Sequence, residues 1–162
     1  MGQQDVPALE LDSPEDHRIA PGTPRIIYSS PLKRALSAVD VMFPGEPAVV
    51  SDLLLERFVG DWEGMDHATV EAQWPGTFID GVLAPGAEPP GGESVDELCT
   101  RVIEFFDLIS AGDPGVDVYA VTHNGWIRAA MLLNGEISFD RLFAEPVPFL
   151  TPIRFTPTFG RT

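Results

Sequence analysis

Residues 116–122 restrict the fold of this chain more than any other segment. Their sequence, VDVYAVT, is almost continuously apolar and rich in β-branched side chains. This pattern is typical of a strand in the middle of a parallel sheet, where both faces are covered. A helical pattern follows at about residues 126–133. A buried parallel strand needs further strands beside it and helices over it, so the first expectation is an α/β fold.

The same alternation of strand and helix occurs earlier in the chain. Residues 25–29 (RIIYS) predict a short strand, and residues 48–54 predict a second one. Between them, Ser30 and Pro31 suit the N-cap and first turn of a helix that ends at the Pro-Gly pair 44–45. The apolar residues of this helix recur at helical spacing: Leu32, Ala35, Leu36, Val39 and Phe43.

A capping box predicts the start of another helix. Ser94 and Glu97 have the spacing at which hydroxyl and carboxylate satisfy each other's free N–H groups. Before them, residues 75–92 are rich in Pro and Gly, and a loop of that length is usually functional or mobile. The helix carries one apolar face: Val95, Leu98, Val102, Phe105, Phe106 and Ile109.

These elements predict a single domain over residues 1–162. The alternation of strands and helices predicts a parallel sheet.

Charge and composition limit the partners of this domain. The chain has 25 acidic and 10 basic residues, a net charge of −15, and such a surface repels nucleic-acid phosphates and anionic lipids. No apolar stretch approaches the roughly 20 residues of a membrane span, and the polar start lacks the order of a secretory signal. The single cysteine, Cys99, excludes an internal disulfide. We therefore expect a cytoplasmic protein with no nucleic-acid or membrane partner.

Two cations stand where helix electrostatics disfavour them. Lys33 and Arg34 fall in the first turn of the helix after strand 25–29, although the helix dipole makes that end positive. Cations beside free backbone N–H groups form a receptor for phosphate or carboxylate. The alternative is a solvated pair on an exposed turn.

Two further titratable residues directly follow predicted strands. His123, in Thr-His-Asn-Gly 122–125, lies at the carboxyl edge of the sheet, where α/β folds bind ligands, and Arg34 would share that edge. Glu56 follows strand 48–54, and a partly desolvated carboxyl group there keeps its proton and serves as a general acid. The alternatives are a hydrogen-bonded turn histidine and a surface glutamate paired with Arg57.

Four segments occur in a specific order: 28–35 (YSSPLKRA), 56–64 (ERFVGDWEG), 91–94 (GGES) and 121–128 (VTHNGWIR). Together they resemble the histidine phosphatase superfamily, in its phosphoglycerate mutase-like branch, over roughly residues 25 to 133. The resemblance implies a mostly parallel sheet flanked by helices on both faces, with residues 1–24 as a divergent N-terminal segment.

The resemblance implies a role for each candidate residue. Arg34 would grip a phosphoryl group, Glu56 would donate a proton to the leaving oxygen, and His123 would stabilise charge on the phosphoryl oxygens. The partner is then a small anionic, phosphorylated metabolite. No cluster of His, Cys and Asp has metal-ligand spacing, and we expect no metal and no cofactor. Three further residues are expected to bind the phosphate or the substrate: Asn124, Ser30 and Lys33. Arg128 and Glu93 also match motif positions, and they are expected to be scaffold residues.

The chain departs from the family at the nucleophile. The family's nucleophilic histidine lies in an Arg-His-Gly motif after its first, central strand, and this sequence contains no such motif. The other histidines, His17 and His67, are poor substitutes. Residues 7–12 (PALELD) would form a short strand in the vacant position, with Asp12 and Ser13 near the place of Arg and His. Losing the nucleophile of a covalent catalyst commonly costs on the order of 10⁴–10⁶ in rate.

Three functions therefore stay open at this point. The chain is an impaired phosphatase or mutase, a non-catalytic anion-binding protein, or an enzyme whose Glu56 and His123 do acid–base chemistry on another anion. The missing motif is either a natural loss or the result of a truncated or wrongly assigned start. A vacant strand position leaves backbone groups unpaired, so we expect the N-terminal segment to fill it or a second copy of the chain to cover it as a homodimer.

Overall fold

A three-stranded parallel sheet lies at the centre of the computed structural model, which describes residues 2–6 and 13–159. Its strands are β1 (Arg25–Ser29), β2 (Val49–Val50) and β5 (Asp117–Val121), in the order β2-β1-β5. Tyr28 is in register with Val49 on one side and Ala120 on the other. The parallel sheet predicted from the sequence is confirmed.

Four α-helices accompany the sheet within these residues: α1 (Lys33–Met42), α2 (His67–Gln73), α3 (Val95–Ser110) and α4 (Asn124–Leu133). Short 3-10 helices occupy Pro14–His17, Asp52–Leu54, Gly60–Trp62 and Phe139–Arg141. No helix in this part of the chain is both long enough and apolar enough to span a bilayer.

Neighbouring side chains of β1 point to opposite faces of the sheet, and each face is covered by helices. Ile27 packs with α1 in a cluster that includes Val39 and Phe43. Tyr28 faces α3 and α4, where its ring lies 5.4 Å from that of Phe105. Full burial of a Val, Ile or Phe side chain contributes about 1.5–3 kcal/mol. Helices therefore flank the sheet on both faces, as predicted.

The starts of α3 and α1 follow different rules. At α3 the capping box is present: Glu97 N donates to Ser94 Oγ (3.1 Å), and Ser94 N donates to a Glu97 carboxylate oxygen (2.8 Å). At α1 the predicted N-cap, Ser30, is wrong, because Leu32 precedes the first helical residue. Ser30 N instead donates to Val121 O (3.0 Å) and so prolongs the sheet by one residue.

The strand predicted at residues 48–54 is too long. Only Val49–Val50 is strand, because the Ser51 hydroxyl accepts from Leu53 N (3.3 Å) and begins a 3-10 turn. The loop at residues 75–92 contains an antiparallel hairpin of β3 (Phe78–Ile79) and β4 (Val82–Leu83). The strand predicted for residues 7–12 lies outside the described residues.

The strand expected in the middle of the sheet is an edge strand within the described chain. There β5 pairs only with β1, and its Val118 and Ala120 are exposed.

Candidate functional site

Three side chains from different parts of the sequence meet at the carboxyl edge of the sheet. Arg34, in the first turn of α1, donates from Nε to Nδ1 of His123 (3.2 Å). Glu56, which follows the β2 region, accepts at Oε2 from Gly125 N (3.3 Å). We call Arg34, Glu56 and His123 the rim site, since the ends of parallel strands place all three at one edge.

His123 is held neutral at this edge. It is the N-cap residue of α4 and is 8% exposed. Burial, followed by the positive charges of Arg34 and Arg101, lowers the pKa of His123 to about 3. Its ring therefore carries no charge at neutral pH.

Burial also favours the neutral form of Glu56, which for a carboxyl group is the protonated form. Desolvation raises the pKa of its carboxyl group, against two backbone N–H donors and the charges of Arg34 and Arg101. The donors are Arg57 N at 2.9 Å from Oε1 and Gly125 N on Oε2. A Cβ at Gly125 would lie 2.4 Å from Oε1, so only glycine permits this approach. A carboxyl group that keeps its proton can act as a general acid.

Arg101 on α3 holds the segment that carries Glu56. Its guanidinium donates to both carboxylate oxygens of Glu93 (2.9 and 2.8 Å) and to the carbonyls of Leu53 (3.0 Å) and Leu55 (2.7 Å). Sequence reasoning missed this residue. Its signal is a basic side chain beside the apolar face of a helix, with Glu93 just before the capping box. Glu93 has the scaffold place that the resemblance implies.

Residues 2–6, which we call the covering segment, lie across the rim site and were also missed. Arg34 donates from Nη1 to Gln4 O (2.7 Å) and from Nη2 to Gly2 O (2.8 Å). Gln3 Nε2 donates to Glu56 O (2.9 Å). Glu63 accepts from Gln3 N (2.7 Å) and Gln4 N (3.1 Å). Backbone carbonyls of the chain therefore occupy the guanidinium donors predicted to bind an anion.

Gly2, the first described residue of the covering segment, is buried in a place that only glycine fits. Its φ is +41°, and a Cβ there would lie 2.0 Å from Glu63 Oε1 and 2.6 Å from a methyl carbon of Val59. The signal in the sequence is an isolated Gly followed by polar residues, which does not reveal a partner about sixty positions away.

The carboxylate of Asp5 lies at the start of α1, where the sequence predicts an external anion. Asp5 Oδ1 accepts from Lys33 N (2.7 Å), and its other oxygen lies 3.2 Å from Lys33 Nζ. The backbone hydrogen bond from Lys33 is the main reason that the pKa of Asp5 is lowered. The chain thus supplies its own anion to the helix N-terminus.

The remaining candidate residues differ in burial. Asn124 is the exposed first residue of α4. Ser30 is fully buried, and its hydroxyl lies 2.8 Å from Nε2 of His123. Phosphate contacts for Asn124, Ser30 and Lys33 stay predictions. Arg128 donates from Nε to Glu145 O (2.8 Å), which suits a scaffold residue.

The other two histidines have other surroundings. His67 stacks on Phe78 of the hairpin, with ring centroids 4.4 Å apart. His17 ends the helix Pro14–His17, which Ser13 precedes. Neither ring is hydrogen-bonded to the rim site among residues 2–6 and 13–159, and Asp12 lies outside those residues.

Comparison with known proteins places these features in a family. Residues 16–151 match the family model described as Histidine phosphatase superfamily (branch 1). A glucosyl-3-phosphoglycerate phosphatase of Mycolicibacterium vanbaalenii is 32% identical over 120 residues, covering 68% of this chain and 53% of the relative. A metal-independent phosphoserine phosphatase of Arabidopsis thaliana is 34% identical over 119 residues, covering 67% and 48%.

Solved structures give the same fold. The structure of Bacillus stearothermophilus YhfR matches with a TM-score of 0.76 and 26% identity, over 90% of this chain and 75% of that one. The chain spans about half the length of the curated relatives it matches.

Proposed function

Because the chain belongs to branch 1 of the histidine phosphatase superfamily, we propose that it binds a small phosphorylated metabolite at the rim site. In this proposal Arg34 binds the phosphoryl oxygens and Glu56 donates a proton to the leaving oxygen. His123 also contacts the phosphoryl group. The relatives named as phosphatases support a phosphomonoester as the ligand class.

The observation that carries the proposal is the approach of three side chains at the carboxyl edge of the sheet. A guanidinium, a half-buried carboxyl group and a neutral imidazole lie there, with Arg34 Nε 3.2 Å from His123 Nδ1. A guanidinium fork matches phosphoryl oxygens in geometry and charge. To bind one, Arg34 exchanges the carbonyls of Gly2 and Gln4 for phosphoryl oxygens.

We propose that phosphoryl transfer is impaired in this chain as it stands. Without Arg-His-Gly, no phosphohistidine forms by the family's route, and water must attack phosphorus directly. The bond from phosphorus to the leaving oxygen then breaks, Glu56 protonates that oxygen, and the proton of the attacking water passes to the solvent, because a pKa of about 3 makes His123 a weak base. Binding therefore survives better than turnover.

Binding is tested by thermal unfolding with inorganic phosphate and with phosphomonoesters. A ligand at 100 times its Kd stabilises the folded state by about 2.7 kcal/mol, so the melting temperature is expected to rise. Arg34→Ala should abolish the rise, whereas Arg18→Ala, an exposed residue with the same charge change, should keep it. If none of these ligands raises the melting temperature of the wild-type protein, the proposal is contradicted.

Impairment is tested by restoring the motif. The carbonyl oxygen of Gly2 accepts from Arg34, and a histidine introduced directly before Gly2 would have its Cα about 3.8 Å from the Cα of Gly2. Replacing Met1 by an apolar strand sequence that ends in Arg-His should give vanadate-sensitive hydrolysis of an aryl phosphate, well above that of the unmodified chain. The matched control ends the same extension in Arg-Gln. Equal rates for the two extensions argue against an impaired phosphatase.

A second candidate is favoured by the two opposite pKa shifts. Burial favours the protonated form of the Glu56 carboxyl group, and a pKa of about 3 leaves the His123 ring unprotonated. Two titratable groups whose pKa values are shifted apart suit proton transfer on a non-phosphate anion. This function predicts turnover of a carboxylate substrate without ³²P labelling of the protein. Both His123→Ala and Glu56→Ala would abolish that turnover.

A further inference from the structure

The protonation of His123 follows from its two neighbours. A guanidinium can only donate, so the 3.2 Å contact from Arg34 Nε requires an unprotonated Nδ1. A neutral imidazole carries one proton, and that proton must then lie on Nε2. The atom 2.8 Å from Nε2 is Oγ of Ser30, which therefore accepts a hydrogen bond from the ring.

Ser30 is rigidly placed for this contact. Its side chain is fully buried, and its backbone N–H donates to Val121 O (3.0 Å) at the end of the sheet ladder. The strand thus fixes the hydroxyl on the side of His123 that faces away from Arg34. The same oxygen accepts a longer hydrogen bond from Leu32 N (3.3 Å).

We propose that Ser30 is a positioning residue for His123. It binds the Nε2–H group and so directs the lone pair of Nδ1 toward Arg34 and the rim site. Ser30 then acts through the imidazole, without the direct phosphate contact that the sequence suggested.

The meaning of this contact for catalysis rests on the proposed function. A ring held with a free Nδ1 lone pair offers a bound phosphoryl group an acceptor and not a cation. It pairs with a phosphoryl oxygen that carries a proton, or it takes up a proton at Nδ1 after Arg34 has moved to the ligand. A neutral His123 that accepts a hydrogen bond at Nδ1 therefore differs from the charge-stabilising histidine that the resemblance implies.

The test is the tautomer of His123, measured by NMR on the full chain without any ligand. Long-range ¹H–¹⁵N correlations show which ring nitrogen carries the proton, and His17→Gln and His67→Gln assign the signals of the three histidines. The wild-type protein at neutral pH should show His123 as a single tautomer with the proton on Nε2. Because that N–H is hydrogen-bonded and buried, its proton should exchange slowly with water.

Variants of two adjacent serines then isolate the contact. Ser30→Ala should speed exchange of the Nε2 proton by about tenfold or more, and Ser30→Thr should slow it again. Ser29→Ala is the matched control, because Ser29 is equally buried and its hydroxyl donates to Ser30 O (2.9 Å). A proton on Nδ1 in the wild type overturns the proposal, and so does unchanged exchange in Ser30→Ala.

The wild-type spectrum decides the tautomer even if a variant does not fold. Because no substrate is added, a negative result in the phosphate-binding experiment leaves this measurement unaffected.

Discussion

His123 links the rim site to the pH dependence of folding. Its pKa is about 3 in the folded chain, below the ordinary value of 6.5, so between these values the unfolded chain binds a proton that the folded chain does not. Stability from this residue is complete above pH 6.5 and falls as the pH drops toward 3, by about 1.4 kcal/mol per pH unit. His123→Gln should remove this slope, measured by urea unfolding between pH 7 and pH 4.

The contribution of Glu56 to the pH dependence of stability has the opposite sign. It is present both in the wild type and in His123→Gln. Its pKa is raised in the folded chain, so its stabilisation is present below its ordinary pKa and is lost as the pH rises through the folded value. The comparison of wild type with His123→Gln cancels this effect. Above pH 7 the two proteins should show the same pH dependence, and parallel curves at every pH would contradict a depressed His123 pKa.

The meeting of the rim residues could be predicted from the sequence because each lies within about five residues of the end of a strand pattern. Arg34, Glu56 and His123 needed only the assumption that their strands share one parallel sheet. Ser30 was harder, because a serine before a proline is also a good N-cap. Whether its hydroxyl caps a helix or binds a histidine depends on how far the β1 ladder continues, and local sequence does not determine that length.

At the scale of elements, the covering segment competes with any anion for the start of α1. Asp5 accepts from Lys33 N (2.7 Å) and pairs with its ammonium group. Asp5→Asn keeps the shape of the side chain and removes the charge that an external phosphate would have to displace. An exposed ion pair is worth up to about 1 kcal/mol, so the affinity for inorganic phosphate should rise by up to about fivefold.

Titration calorimetry with inorganic phosphate measures this change. Asp40→Asn is the matched control, since Asp40 is exposed on the same helix and its loss changes the net charge equally. An equal gain in both variants would mean that general repulsion, and not occupation of the helix start, limits binding.

The covering segment also shows which elements local sequence cannot predict. Its structure depends on bonds to residues such as Arg34, 30 positions from Gln4, and Glu63, 59 positions from it. The hydrophobic periodicity of the sequence does not predict such long-range contacts. The shortening of the 48–54 strand has a similar origin, because the Ser51 hydroxyl competes with the sheet for the local backbone.

At the scale of the whole molecule, the two outer strands of the sheet are unequal. β2 has two residues, too short to recruit another strand, whereas β5 has five residues and exposes Val118 and Ala120. In the described part of the chain β5 has a neighbour on one side only. A strand of this length with a free edge is a template for pairing.

We predict that β5 pairs with β5 of a second copy in antiparallel orientation about a twofold axis. The two three-stranded sheets then form one continuous six-stranded sheet. Light scattering should then give twice the 17.6 kDa mass of the chain. A lysine on an edge strand opposes pairing, so Ala120→Lys should yield monomers. Val49→Lys, at a residue 52% exposed on β2, should leave the dimer intact.

Hydrogen exchange separates this dimer from the other expectation, in which the chain covers its own edge. If β5 pairs between copies, its outward amides should be protected at high protein concentration and exchange quickly on dilution or in Ala120→Lys. Protection that persists in a monomer would mean that a strand of the same chain covers β5 and that no dimer is needed. Fast exchange in a concentrated wild-type monomer would contradict both expectations, because the polar groups of β5 would then be satisfied by water alone.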